Sequence, residues 1–170
     1  MDSRACIKDT NQNDQVIAFR VIGRAQQRGS KTPWIPKRKD GSFVMKNGRP
    51  IIATMDSNKS SGPWMQEVKW AAISALGQIE LITAPIELTA RFYFCRPQSH
   101  FGSGKNAGVL KASAPSIHAQ SPDLDKLTRA LGDSLTGVLI HDDKLIARII
   151  SERLWTIEAE RTEIEIRILR

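Results

Sequence analysis

The alternation in "RTEIEIRILR", residues 161–170, constrains the fold more than any other feature. Successive side chains of a strand point to opposite faces, so Ile164, Ile166 and Ile168 share one face and Glu163, Glu165 and Arg167 the other. A strand of this kind belongs in a sheet that is covered on one side and wet on the other. "APIELTARFYFC" repeats the pattern with Ile86, Leu88, Ala90, Phe92 and Phe94. "DQVIAFRVIGRA" does so with Ile17, Phe19 and Val21 before Gly23, and "KLIARIISERLW" reads as a fourth strand.

Two segments carry the period of a helix. Residues 63–79 place Trp64, Val68, Ala71 and Ala75 on one stripe, with Ala72 and Leu76 alongside, and the tryptophans are expected in the core. Pro63 suits a first turn, and Ser60 or Ser61 can cap it. Residues 124–138 gather Leu124, Leu127, Leu131, Leu135 and Val138 into a narrow arc, and Gly137 ends the helix. Between the first strand and the first helix lies a stretch rich in Gly, Pro and Lys/Arg. Its Asp40-Gly41 and Asn47-Gly48 pairs signal hairpins, with short strands near Trp34–Ile35 and Phe43–Met45. Residues 97–120 show no periodicity, which in a compact domain marks a functional or disordered loop.

The element order is β, ribbon, α, β, long loop, α, β, β. Two helices on one mixed or antiparallel sheet make an α+β fold, a single domain over residues 16–170. Residues 1–15 are expected to be disordered. No apolar run reaches the length of a membrane span. The first residues lack the basic-then-apolar design of a secretion signal, so a cytoplasmic location is expected. Cys6 and Cys95 supply neither a disulfide framework nor a zinc site, and Cys95 reads as a small core residue. His100, His118 and His141 are scattered without metal-binding spacing.

The chain carries a net charge of +7, distributed unevenly. Nine cations stand between Arg20 and Arg49 (Arg20, Arg24, Arg28, Lys31, Lys37, Arg38, Lys39, Lys46 and Arg49) against Asp40 alone. That composition fits a solvated loop-rich face as well as a phosphate-binding surface. Against it stands "SPDLDKLTRALGDSLTGVLIHDD", residues 121–143, with five carboxylates (Asp123, Asp125, Asp133, Asp142 and Asp143) and two cations, Lys126 and Arg129.

Inside the helix, Asp125, Arg129 and Asp133 stack on a face distinct from the leucines. Pro122 keeps Asp123 at the junction of extended chain and helix, so Asp123 and Asp125 can point to one side. Helix capping explains these acids adequately. A hard-metal site explains them as well, since Mg²⁺ takes carboxylate oxygens and leaves room for substrate phosphates. On a basic chain such a site suits phosphodiester hydrolysis of nucleic acid.

"PDLDKLTRALGDSLTGVLIHDD" strongly resembles the signature of RusA-type Holliday junction resolvases, approximately P-D-x-D-N-x-x-K followed by a helical Asp, a Gly turn and a closing D-D. "FRVIGRAQQRGSK", "PWMQEVKWAA" and "FYFCRPQSH" resemble the family's first strand, first helix and the strand before its variable loop. The resemblance implies a homodimeric, Mg²⁺-dependent endonuclease, with Mn²⁺ as a substitute and no small-molecule cofactor. Such an enzyme cuts four-way DNA junctions by paired nicks in a bacterial or phage-infected cell. Asp123, Asp125 and Asp143 match its essential carboxylates and are expected to converge on the ion. Asp142 is the adjacent acid, and Asp133 matches the acid inside the helix.

Two positions depart from the pattern. Lys126 replaces the usual Asn, and Arg129 stands where the family has Lys. Both are read as catalytic cations, although an arginine steadies phosphate charge without exchanging protons. Arg20, Arg24, Arg28, Lys31, Lys37, Arg38 and Lys39, with Lys105 and Lys111 in the long loop, are the candidate DNA contacts. The alternatives are a branched-DNA-binding protein with impaired catalysis and a metal-dependent nuclease acting on another nucleic acid.

Overall fold

The alternating segment near the C-terminus occupies an inner place in the sheet, between residues 16–22 and 86–95. The computed structural model describes residues 16–77 and 80–169. In chain order they form β1 (Val16–Ile22), β2 (Lys31–Trp34), β3 (Met45–Lys46), β4 (Arg49–Pro50), β5 (Ala53–Asp56), α1 (Ser61–Leu76), β6 (Ile86–Cys95), α2 (Leu124–Leu135), β7 (Ile146–Thr156) and β8 (Arg161–Ile168). The main sheet has the order β1-β8-β6-β7. β8 is antiparallel to β1 and β6, while β6 and β7 are parallel. The fold is therefore α+β with a mixed sheet, and β2-β5 and β3-β4 form two separate ribbons.

Register sorts the two faces. Ile164 lies opposite Phe19 and Ala90, and Ile166 opposite Ile17 and Leu88. These residues belong to the single core, beneath the helices. Helix α1 packs on β1 and on α2, and α2 packs on β7. Leu127, Leu131 and Leu135 are fully buried, each stabilising the fold by about 2 kcal/mol. The other face is charged. There Arg91 pairs with Glu152 at 3.0 Å, Arg148 with Glu87 at 2.7 Å and Arg161 with Glu163 at 2.8 Å. Glu87 is itself buried, whereas the exposed Arg91–Glu152 pair contributes little to stability. These charges keep this face soluble.

Several expectations need correction. Helix α1 begins at Ser61 rather than Pro63 and ends at Leu76; residues 78 and 79 lie outside the described residues, as do residues 1–15. Helix α2 stops at Leu135, before Val138, because Thr136 turns extended and Gly137 takes φ 71°. In the ribbons the strands fall at Lys31–Trp34 and Met45–Lys46, with Phe43 held by a single bridge to Lys37. Trp64 is buried, but Trp70 is 59% exposed, on the outer side of α1. Cys95 is exposed rather than in the core, since it ends β6 one residue after the last inward position, Phe94.

Residues 97–120 have a definite shape without regular periodicity. Short 3-10 turns form at Gln98–His100 and Gly104–Asn106, and Phe101 bridges Leu110. The anchors are two histidines that the sequence leaves unremarkable. His118 lies 4.2 Å from the Trp155 ring and 4.7 Å from Phe94, and His100 meets Trp155 edge-on at 4.9 Å. Both histidines are buried.

Burial, reinforced by the Arg153 charge, pushes the His118 pKa down. Its folded-state value is then below the unfolded one, so the unfolded chain binds the proton more readily. The stability this contributes is complete above the ordinary histidine value of 6.5 and is lost as pH falls below it. Amide exchange across residues 97–120, corrected for intrinsic rates, should accelerate below that pH, and His118→Phe should flatten the dependence.

Candidate active site

Helix α2 sets the phase of the acidic segment. Its leucines face the sheet, so Asp125, Arg129 and Asp133, spaced four apart, run along the opposite side over about 12 Å of helix axis. With Asp143, Thr128, Gly132, Ile146, Ile149 and Ser151 they line a cleft between α2 and β7. A hydrogen bond of 2.9 Å between Thr128 Oγ1 and Ser151 Oγ ties the two walls together.

Asp143 reaches the cleft because the chain reverses immediately after α2. The Gly137 amide donates to the Ile140 carbonyl at 2.7 Å, and the Ile82 amide donates to the Leu139 carbonyl while the Ile82 carbonyl accepts from the His141 amide. The two adjacent acids then divide their tasks. Asp142 accepts from the Lys144 amide at 3.0 Å, capping the 3-10 turn Asp143–Leu145, and pairs with Lys144 Nζ at 3.1 Å. Those bonds, the amide foremost, lower its carboxyl pKa. Asp143 opens that turn and lines the cleft.

Asp123 has the extended backbone expected of it, φ −70° and ψ 132°, at the N-cap of α2. Its side chain makes no cap bond. The carboxylate meets Lys126 Nζ at 2.7 Å instead. Lys126, by hydrogen bond and charge, holds the Asp123 carboxyl below its usual range, and Asp123 raises the Lys126 ammonium. Of the three acids expected to converge, Asp125 and Asp143 line the cleft, and Asp123, paired with Lys126, is not among its lining residues. Among the described residues no three Asp, Glu, His or Cys side chains form a ready-made cation cage.

The backbone around Asp123 is held from two sides by residues the sequence did not single out. Gln27 Oε1 accepts from the Asp123 amide, and Arg153 donates to the carbonyls of Gln120 and Pro122. Arg28 adds an ion pair to Asp133 at 2.8 Å. Arg153 gave one signal, a cation on the inward register of β7 between Ser151 and Trp155. Gln27 gave none.

The model of the family "Endodeoxyribonuclease RusA" matches residues 33–167, most of the chain and the whole of the cleft. The chain belongs to the RusA endodeoxyribonuclease family. Comparison with curated proteins finds no match. As a RusA-family nuclease the chain has DNA as its substrate, which gives its cations a common context.

Those cations are dispersed. Lys31, Lys37, Arg38 and Lys39 belong to the ribbon region, where Lys37 Nζ lies 5.4 Å from the Phe43 ring centroid. Arg24 lies over Phe94 and pairs with Glu160 at 3.2 Å. Arg20 is on the charged outer face, opposite Glu163 and away from the helices. Lys105 stands exposed on the long loop, and Lys111 Nζ donates to the Ser99 carbonyl at 2.9 Å.

Removing the Lys126 ammonium should let the Asp123 carboxyl titrate higher, back toward the ordinary range. Carbon-detected NMR of the side-chain carboxyls in Lys126→Ala would show it, with Asp142 as the unmoved control.

Proposed function

We propose that this RusA-family nuclease resolves four-way DNA junctions, hydrolysing one phosphodiester at each of two cleft sites in a homodimer. The observation that carries the reading is the cleft itself: Asp125, Arg129 and Asp133 from one side of α2, with Asp143 from the turn before β7, line a water-accessible channel on a chain of net positive charge. A basic protein gains nothing for polyanion binding from such acids, so they call for a cation.

The donor set fits a hard divalent ion such as Mg²⁺, which is commonly held by one or two carboxylates with phosphate and water completing its shell. Asp125 and Asp143 would hold it, with Asp123 and Asp142 as neighbouring acids. When bound, the ion supplies charge neutralisation at the phosphate and a more acidic water. Arg129, four residues after Asp125, is positioned to hold a phosphate oxygen as negative charge develops, and it stays protonated throughout. Asp133, fixed by Arg28, sets the far end of the channel. Lys126 holds Asp123, and Gln27 and Arg153 fix the backbone from which Asp123 and Asp125 project. A two-fold dimer would present two such sites to the approximate symmetry of a junction.

A second reading, branched-DNA binding with impaired cutting, is favoured by one observation, the Lys126–Asp123 ion pair that occupies an acid the family pattern makes essential.

Purified protein with a labelled four-way junction and Mg²⁺ separates the two. The wild type should give paired nicks, and Asp125→Asn should lower the rate by about a hundredfold or more, at least the cost of disturbing a metal's supporting residues. Junction binding without cutting by the wild type would leave only the second reading; equal cutting of linear duplex or RNA would remove the junction preference. Arg129→Lys should keep or raise the rate, and a large loss would assign Arg129 a role of its own.

A further inference from the structure

Residues 31–56 leave large apolar side chains in water. Every residue of β2 is exposed. In the β2-β5 register, Thr32 faces Met55 and Trp34 faces Ala53, so Trp34 and Met55 share one side of the ribbon. They are 48% and 59% exposed. In the second hairpin Phe43 bridges Lys37 and is 46% exposed, with Met45 two residues on at 47%. Single surface apolar residues need no explanation, but these four large side chains between Trp34 and Met55, two of them aromatic, exceed ordinary scatter.

The charge around these rings selects the occupant. Residues 31–56 contain six cations, Lys31, Lys37, Arg38, Lys39, Lys46 and Arg49, against Asp40 and Asp56. Lys46 and Arg49 lie opposite one another in β3-β4, and Lys37 sits over the Phe43 ring. Two copies of such a surface repel each other. A polyanion that also offers flat apolar rings complements it on both counts, and that description fits nucleic acid whose bases are unstacked. Bases within a duplex have no free face to give.

Position supports the same occupant. The foot of the ribbon is bolted to the cleft: the Ser57 amide donates to the Ser30 carbonyl, Asn58 Nδ2 donates to the Gln27 carbonyl at 2.8 Å, and Gln27 accepts from the Asp123 amide. The foot of the ribbon therefore lies beside the turn that carries Asp123.

We propose that the ribbon is a base-stacking platform, on which Trp34 and Phe43 receive unpaired nucleobases while the flanking Lys and Arg side chains hold phosphates of the same strand. The proposal rests on the reading of the chain as a branched-DNA nuclease and adds what its substrate must expose: bases released from pairing beside the cut. Aromatic stacking of this kind tolerates any sequence, because every base has a π face.

Binding of fluorescein-labelled oligothymidylate, followed by anisotropy in EDTA so that no cutting intervenes, tests the platform. Trp34→Ala should weaken binding about tenfold, within the range for loss of one stacked base, and Trp34→Phe should restore most of it. The salt dependence should keep its slope in both, whereas Lys37→Gln should reduce it by about one counterion. Phe43→Ala, measured alongside with matched thermal unfolding, provides an independent variant. Unchanged affinity in both alanine variants would overturn the proposal. So would a loss that coincides with a change of sedimenting species, which would make the face a self-association surface. A protein that binds oligothymidylate in this way but cuts no junction keeps the platform and loses the resolvase reading.

Discussion

Burial of the leucine face of α2 is the constraint on which the site depends. Leu127, Leu131 and Leu135, at about 2 kcal/mol each, outweigh the few tenths of a kcal/mol that charged side chains one helical turn apart contribute. The apolar side therefore decides the rotation of the helix, and the acids take the orientation left to them. Asp125, Arg129 and Asp133 end on the open side as a consequence, alternating in sign so that even the small repulsion between acids is relieved. A polar residue at one of the leucine positions would disturb the core and the cleft together.

Much of this was legible in the sequence because it follows from periodicity. Alternation in β6 and β8 gave their inward residues, and the leucine spacing gave the buried side of α2 as well as the stack of 125, 129 and 133. The misread places share a different cause, namely position at the end or edge of an element. Cys95 lies just past the last inward residue of β6, Val138 just past the turn made by Thr136 and Gly137, and Trp70 on the outward side of a helix whose other side carries Trp64. Local spacing cannot show where an element stops, because the stop is imposed by what the chain meets next.

Long-range polar contacts were least visible. Gln27 lies nearly a hundred residues from the amide it accepts from, and nothing in its neighbours marks it. His100 and His118 looked like isolated polar residues in a shapeless loop, whereas Trp155 gathers both and gives residues 97–120 a floor. The division between Asp142 and Asp143 was also hidden, since two adjacent acids are equivalent until a backbone amide selects one. By contrast, the capture of Asp123 by Lys126 could have been read from their spacing of three, which brings side chains together on a helix.

The order of the main sheet has a consequence for how the protein is made. β1 joins the sheet only through β8, the strand most distant from it in the described sequence, and the segment after β1 carries Gln27 to its place beside Asp123. A nascent chain that has emerged only through β7 holds every acid of the cleft and the Arg153 half of the brace at Asp123, but β1 as yet has no strand to pair with. Contacts this distant in sequence close late in folding. A product truncated before β8 would thus carry every acid of the cleft while leaving β1, and the segment after it that bears Gln27, without a strand to join them to the sheet.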